Sequence, residues 1–535
     1  MDWHRVHAIM KMIQDNNIID SLQNNEESDI LYQSDHDSES EAELDLIDSS
    51  YNNCDQGYKC SNNRILSKYP PKIIEKGTFN KRKGKFPKNC PRPKNAWQLL
   101  FTDDLLELIV ASTNENINKG ASVETNVNEI KSLIGILYLH GIIRPTHQSA
   151  DDLWDDEYGV PCVRNSMTLD RYKFLLAHIK FEKEENETFF DPMRRMRTLF
   201  EMFAMNCRTA FTIDDTAVVD EVIVPVYGPC PFRYDIDKKP LRRGMKMVML
   251  VDPSNFYVSN LDVVTDTYFK AEDIVKKITQ HLNKSGTTVI MDSWYFSNSL
   301  MNSLKECGLY TIGALNPKSD IIPSLFVSKY RKPHTFMSGF SKDNVSVTSY
   351  VNSNSKSLNV ISSDPKYYRK CHKYGSTAVS DYMKNQSAVE VVDVLMHYYT
   401  TMQHTNDWTM SLFFTLLNIA SISAQVIWSS VNPDTIQRRL FIRQLAESLI
   451  KSEDLLLSKL LDPLESSKKL KLSLTYMPAT TQATVRRRCK LCTKLKRDRK
   501  TNQFCLKCGQ FICKEHYSRL YTCSVILWCY LKQGG

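Results

Sequence analysis

The stretch AVVDEVIV at residues 217–224 restricts the fold of this chain more than any other. Its β-branched residues predict a buried strand, yet Asp220 lies near its middle. Apolar runs at 245–251, 257–261 and 288–291 predict further strands, and a helix is expected at 271–282. A strand meander followed by a crossover helix and another strand is typical of an α/β layer.

A second aspartate, Asp292, directly follows the strand predicted at 288–291. Burying a carboxylate is costly unless it is paired or binds a cation. Hard divalent ions such as Mg2+ prefer carboxylate oxygens, and two such ions about 4 Å apart promote phosphodiester displacement. Asp220 and Asp292 are therefore candidate ligands for two Mg2+ ions. The plainer alternative is that a strand aspartate followed by Glu221 is a structural hydrogen-bonding residue.

The last fifty residues contain a different metal-ligand pattern, with the spacings C-x2-C, C-x2-C, C-x2-H and C-x5-C. The ligands are Cys489, Cys492, Cys505, Cys508, Cys513, His516, Cys523 and Cys529. Because a tetrahedral zinc takes four such ligands, residues 486–530 are predicted to form an interleaved cross-brace with two structural Zn2+ ions. Ile526 occupies the slot expected for the last ligand, so the second site is either looser or has three protein ligands. A disulfide-bonded tail is the alternative structure.

Charge is distributed very unevenly along the 535 residues, although the net charge is only +8. No Lys or Arg occurs between Lys11 and Lys59, and a proline-interrupted basic run follows from Lys76 to Lys94. We therefore expect residues 1–95 to be a disordered arm, first acidic and then basic. A second basic run precedes and overlaps the zinc ligands, and includes Arg486, Arg487, Arg488, Lys494, Lys496 and Arg497. It suits either nuclear import or contact with DNA phosphates.

The remaining segments are predicted to be helical. Residues 96–215 and 404–463 show apolar residues at helical spacing, and a linker is expected at 464–485. The run 412–428 is almost wholly apolar, but a polar stripe along it favours a buried helix over a membrane span.

Several motifs occur in the order found in piggyBac transposases, and the chain resembles that family from Trp97 to Cys523. They are Asp220-Glu221, Gly228, Cys230-Pro231-Phe232-Arg233, Lys239-Pro240, Gly244-Met245-Lys246, Met291-Asp292-Ser293-Trp294-Tyr295, Val392-Asp393-Val394-Leu395, Trp408-Thr409-Met410 and Leu417-Asn418-Ile419-Ala420. The resemblance implies a DDE/D DNA transposase that excises and integrates DNA at TTAA sites in the nucleus. It also implies two catalytic Mg2+ ions held by Asp220, Asp292 and Asp393.

The same resemblance implies a multidomain α+β architecture. An RNase H-like core would comprise residues 216–317 and 381–403, with a β-rich insertion domain at 318–380. The helices of 96–215 and 404–463 would form a discontinuous dimerisation and DNA-binding domain, with Trp408 among the DNA contacts. The expected partners are transposon terminal repeats, the TTAA target and a second copy of the chain.

Some residues depart from the family pattern. Tyr227 and Pro229 occupy slots that often hold Arg, and Met396 stands where a further acid is usual. These departures favour the alternative of a domesticated, transposase-derived DNA-binding protein with little or no cleavage activity. A third function, ubiquitin ligation by the cross-brace, fits less well because His516 comes late in the ligand series. All three metal-binding carboxylates are present, so we expect a transposase.

Overall fold

A computed structural model describes most of the chain between residues 57 and 450 and three short segments near its end. The described residues are 57–70, 90–118, 123–143, 150–182, 191–235, 243–266, 269–327, 331–367, 377–433, 436–450, 480–488, 500–505 and 511. The chain divides into two compact units, Met1–Ser452 and Glu453–Gly535.

The centre of the first unit is a nine-stranded mixed sheet. A small hairpin of β1 (Tyr58–Lys59) and β2 (Ile65–Leu66) precedes it. The sheet strands are β3 (Thr216–Pro225), β4 (Tyr234–Asp235), β5 (Arg243–Asp252), β6 (Tyr257–Val263), β7 (Thr288–Met291), β8 (Tyr310–Ala314), β9 (Phe336–Phe340), β10 (Ser346–Val351) and β11 (Ser357–Ser362). From β5 the order is β5-β3-β7-β8-β11-β10-β9, and both β4 and β6 pair with β5. The strands β3, β7 and β8 are parallel to one another, and the other pairings are antiparallel.

Twelve α-helices in the described part of the first unit surround the sheet. They are α1 (Pro93–Gln98), α2 (Asp103–Asn118), α3 (Val127–Ile143), α4 (Pro161–Ser166), α5 (Leu169–His178), α6 (Arg194–Ala210), α7 (Ala271–Thr279), α8 (Asn298–Glu306), α9 (Thr377–Asn385), α10 (Ala388–Tyr398), α11 (Trp408–Val431) and α12 (Arg438–Ile450). The crossover between the parallel strands β7 and β8 is α8, and α7 lies between β6 and β7. The strand predicted at 217–224 lies within β3, and the apolar run 288–291 is β7.

The helices from the two ends of the first unit share one apolar core with the sheet. Trp97 Nε1 donates a hydrogen bond to the Tyr138 hydroxyl (3.0 Å), which donates to the backbone oxygen of Leu417 (2.7 Å). At Gly135 a Cβ would lie 2.8 Å from the backbone oxygen of Ala446, so α3 and α12 pack with their backbones close together. Apolar packing and hydrogen bonds therefore hold together helices that are far apart in the sequence.

The β-rich residues 318–380, expected to form an insertion domain, extend the main sheet. Strand β11 pairs with β8, with Val360 opposite Ala314. The extension nevertheless has an apolar cluster distinct from the main core, in which Phe326, Val347 and Ile361 pack with Cys60 and Leu66 of the β1–β2 hairpin and with Met301 of α8. The segment therefore shares the backbone hydrogen-bond ladder of the sheet while keeping a separate small core.

Helix α11 is long and apolar enough to span a membrane, but 94% of its most apolar window is buried inside the protein. Among the described residues, no other helix meets that test of length and composition. Polar residues of its stripe form hydrogen bonds inside the protein: the buried Arg438 guanidinium donates to Ser421 Oγ (3.0 Å) and to Gln425 Oε1 (3.3 Å). This arrangement is that of a core helix.

Candidate active site

Asp220 and Asp292 come together where β3 and β7 run in parallel. The last registered pair between these strands is Val219 with Met291. Asp220 is the next residue of β3 and Asp292 directly follows the end of β7, and neighbouring strands lie about 4.8 Å apart. Both side chains are partly buried at this point of the sheet.

The surroundings of Asp220 and Asp292 disfavour ionisation of both carboxyl groups. Burial, followed by the charges of Glu221 and Asp292, raises the pKa of Asp220 well above its usual range. Burial is also the main cause that raises the pKa of Asp292, and Lys246 opposes that shift. A bound divalent cation would favour the ionised form of both carboxylates, so the residues fit a metal site.

A tight turn after β7 fixes one oxygen of Asp292. Its Oδ1 accepts hydrogen bonds from the backbone N–H groups of Trp294 (3.0 Å) and Tyr295 (3.2 Å). The backbone N–H of Phe296 donates to the Asp292 carbonyl oxygen (3.1 Å), which closes the turn. The orientation of the carboxylate is therefore set by local backbone geometry.

A buried lysine lies next to this turn. Lys246 is only 3% exposed, and its Nζ lies 3.1 Å from Glu221 Oε1. The Tyr295 hydroxyl donates to the other oxygen of Glu221. Nζ also lies 5.4 Å, 5.5 Å and 5.4 Å from the ring centroids of Tyr234, Phe269 and Trp294, respectively.

Lys246, Glu221 and Tyr295 belong to the sequence motifs named above, but the motifs did not predict that these side chains contact one another. A lone lysine inside the apolar strand β5 was the available signal, since a buried ammonium requires partners. Which partners it has depends on how β3, β5 and the turn after β7 assemble.

The third predicted ligand, Asp393, stands on α10, which packs against β3 and β5. Its side chain is 37% exposed, and its Oδ1 lies 3.3 Å from His397 Nδ1. The α10 carboxylate that helps to raise the pKa of Asp220 is Glu390, one helical turn before Asp393. The helix thus brings acidic side chains to the side of the sheet where the Asp220–Asp292 pair lies.

Trp408, which was expected to contact DNA, is buried in this structure. Its side chain is 4% exposed and packs edge-on against Phe232, with 5.1 Å between ring centroids. The Arg195 guanidinium covers the ring at 5.8 Å and forms an ion pair with Asp407 (2.6 Å). The ring therefore serves packing, because its faces are occupied by protein.

The aromatic side chain that does reach the surface near this contact is Tyr227, which is 66% exposed. It stacks on His404 with 5.7 Å between ring centroids. Next to it, Gly228 approaches the segment before α11 so closely that a Cβ would lie 1.8 Å from the backbone oxygen of Asn406. The loop after β3 is thereby docked against residues 404–406.

In the second unit, β12 (Thr480–Arg488) and β13 (Lys500–Cys505) form an antiparallel hairpin. Strand β12 begins inside the linker expected at 464–485. Arg486, Arg487 and Arg488 are exposed on it, and Arg487 lies over the Phe511 ring at 5.8 Å.

The predicted zinc site falls almost entirely outside the described residues. Only the backbone of Cys505 is described; the ligands Cys489, Cys492, Cys508, Cys513, His516, Cys523 and Cys529 and the basic residues Lys494, Lys496 and Arg497 are not. Across the described ranges, no group of three or more His, Cys, Asp or Glu side chains is arranged to hold a metal ion. Any ion at Asp220 and Asp292 would therefore need ligands from water, DNA or a reoriented α10 carboxylate.

Known proteins share this sequence pattern and fold. A family model described as Transposase IS4 matches residues 92–425, more than half of the 535-residue chain. The matched range contains Asp220, Asp292 and Asp393 and defines the protein as a transposase. The chain belongs to the piggyBac-type transposase family.

The fold is similar to one in a cryo-EM structure of a piggyBac transposase synaptic complex with hairpin DNA. The TM-score is 0.66 at 24% sequence identity, and the match covers 81% of this chain and 98% of the other. The shared architecture is a mixed α/β multidomain fold with a large mixed sheet. The family resemblance stated from the motifs is thus confirmed.

Proposed function

We propose that the protein cuts and joins DNA with two Mg2+ ions held by Asp220, Asp292 and Asp393. The observation that carries this proposal is the pair of partly buried carboxylates on neighbouring parallel strands, inside the region that matches a transposase family. The strand order β6-β5-β3-β7-β8 supports an RNase H-like core, since β3, β7 and β8 are parallel to one another and β5 is antiparallel to β3.

The chemistry would be an in-line displacement at phosphorus. When bound, the ions would lower the pKa of the attacking water and stabilise the charge on the leaving oxygen. An oxygen–phosphorus bond forms to the water as the bond to the 3′ oxygen breaks, and that oxygen leaves as a 3′ hydroxyl. In strand joining, the 3′ hydroxyl is the attacking group at a target phosphate.

The protein side chains would orient this site. Asp292 would offer a carboxylate whose plane is set by two backbone N–H groups. Asp220 Oδ1 accepts the N–H of Glu221 (2.8 Å), which restrains it in the same way. Asp393 would have to turn away from His397 to join them. We propose that binding of DNA and metal drives that rotation.

DNA would be recognised partly by charge. The exposed Arg486, Arg487 and Arg488 on β12 suit contact with phosphates, with each neutralised phosphate releasing counterions. We further propose that the substrates are transposon ends and TTAA targets, that the protein acts as a homodimer in the nucleus, and that residues 486–530 hold two Zn2+ ions. The family resemblance and the ligand spacing in the tail support these points.

A second candidate function, DNA binding without cleavage, is favoured by one structural observation. Met396, in the slot of the usual further acid, is 4% exposed and belongs to the apolar core. At position 396, α10 therefore contributes an apolar side chain to the core and no carboxylate.

A cleavage assay separates the two functions. Purified protein is incubated with Mg2+ and a TTAA-flanked transposon end, and nicked strands are resolved on a denaturing gel. We expect nicking by the wild type, its loss in Asp220→Asn, and its retention in Asp343→Asn, which removes the same charge from an exposed turn. Binding of DNA by the wild type without any nick would support the second function.

A further inference from the structure

We propose that Glu221, Lys246 and Tyr295 form a positioning network that holds Asp292 in the orientation required for metal binding. This inference rests on the proposed function of the Asp220–Asp292 pair. In this proposal, none of the three side chains binds the metal directly. Their role would be to fix the turn that carries one.

The network lies on the opposite side of the sheet from Asp220. Successive side chains of a strand point to opposite faces, so Glu221 projects away from the face of Asp220. In the antiparallel pairing of β3 with β5, Lys246 lies opposite Ile223, two residues from Glu221. Residues opposite each other share a face, and Lys246 therefore reaches Glu221 diagonally across that face.

One ion pair and two hydrogen bonds connect this face to the Asp220–Asp292 pair. Lys246 Nζ contacts Glu221 Oε1 at 3.1 Å, and Glu221 accepts the Tyr295 hydroxyl on its other oxygen. The backbone N–H of the same tyrosine donates to Asp292 Oδ1 at 3.2 Å. Tyr295 thus links the two sites directly, with its side chain on Glu221 and its backbone on Asp292.

The network is also held in place by packing. Lys246 Nζ lies within 5.8 Å of the ring centroids of both Trp294 and Tyr295, the two residues whose N–H groups hold Asp292. Cation–π attraction at such distances is stronger when the cation is desolvated, as it is for this buried lysine. The turn is therefore restrained through its side chains as well as through its backbone.

Tyr295→Phe tests the proposal, because it removes only the hydroxyl and keeps the buried ring. Mutation of a residue that orients a metal ligand typically lowers metal affinity about 10-fold or more. We expect the Mg2+ concentration for half-maximal cleavage to rise about 10-fold, with the rate largely recovered at saturating Mg2+. Mn2+ binding, measured by calorimetry on the full chain, is expected to weaken in parallel.

A matched control is available elsewhere in the fold. The Tyr367 hydroxyl also donates to a carboxylate, Asp381 Oδ2 at 2.7 Å, and its side chain is equally buried. Tyr367→Phe is expected to leave the Mg2+ dependence unchanged. Glu221→Gln, which keeps the shape but removes the charge paired with Lys246, is expected to shift the Mg2+ dependence in the same direction as Tyr295→Phe.

The outcomes distinguish this inference from the function on which it rests. If the wild type binds Mn2+ and both Tyr295→Phe and Glu221→Gln bind it equally well, the positioning network is refuted and the metal site stands. If lower melting temperatures are the only change in both variants, the network is structural and the proposal is overturned. If the wild type neither cleaves nor binds Mn2+, the proposed function itself fails.

Discussion

Asp220→Asn should stabilise the metal-free protein while abolishing cleavage. Asparagine keeps the shape of the side chain, removes one of two adjacent negative charges, and can donate a hydrogen bond to Asp292. Two unit charges about 5 Å apart at an effective dielectric constant near 20 repel by about 3 kcal/mol. The two carboxylates are only partly buried, so solvent reduces that repulsion, and we expect a gain of about 1–3 kcal/mol in the free energy of unfolding.

The gain should depend on pH in a defined direction. Because the folded-state pKa of Asp220 lies above its ordinary value, folding favours the protonated carboxyl. The contribution of this group to stability is complete below the unfolded-state pKa, near 3.9, and is lost as pH rises towards the folded-state pKa. The advantage of Asp220→Asn over the wild type is therefore expected to be smallest near pH 4 and to grow towards neutral pH.

Thermal unfolding in EDTA and in Mg2+, across that pH range, measures these effects. With an unfolding entropy of about 2 cal/mol/K per residue, a unit of about 400 residues shifts by roughly 1 °C per kcal/mol. Mg2+ should raise the melting temperature of the wild type and of Asp343→Asn but not that of Asp220→Asn. A metal-free Asp220→Asn protein that is less stable than the wild type at pH 7 would refute the reasoning.

Three further predictions concern other parts of the chain. Gly228→Ala should destabilise the first unit by about 1–3 kcal/mol, because its Cβ would meet the Asn406 backbone oxygen at 1.8 Å; an unchanged melting temperature would contradict this contact. Elemental analysis should find two zinc ions per chain and fewer in Cys489→Ser. That variant should bind transposon-end DNA more weakly while its first unit stays folded. Equal DNA footprints of the variant and the wild type would count against a role of the tail in DNA binding. Deletion of residues 1–56, which keeps the β1–β2 hairpin, should tighten DNA binding at low salt if the acidic arm competes with DNA. Identical salt dependence would rule out that competition.

The elements that the residue pattern predicted correctly are those with strong local periodicity. The apolar runs at 217–224 and 288–291 are strands, and the apolar run at 412–428 is the buried helix α11. In each case a single segment carries the signal, because the period of apolar residues follows from the geometry of that segment alone. The family was recognisable for a related reason, since its motifs are short and occur in order.

Other features depended on partners that are remote along the chain. Trp408 was expected at the DNA surface, but Phe232 and Arg195 cover its ring. The strands of 318–380 join the sheet because β11 happens to lie beside β8. Local composition predicts neither the burial of Trp408 nor the pairing of β11 with β8. An aromatic ring can lie in the core or at a binding surface, and a strand edge can pair with any strand that lies beside it.

The amino-acid sequence by itself determined the main strands and helices of the sheet region and the order of the family motifs that contain Asp220, Asp292 and Asp393. Tertiary structure alone decided that Asp292 is linked to Glu221 and Lys246 through Tyr295, and that the Asp393 carboxylate lies beside His397. The physical reason is that the period of side chains along a segment is a local property, whereas strand register and the burial of charge are set by contacts between distant segments.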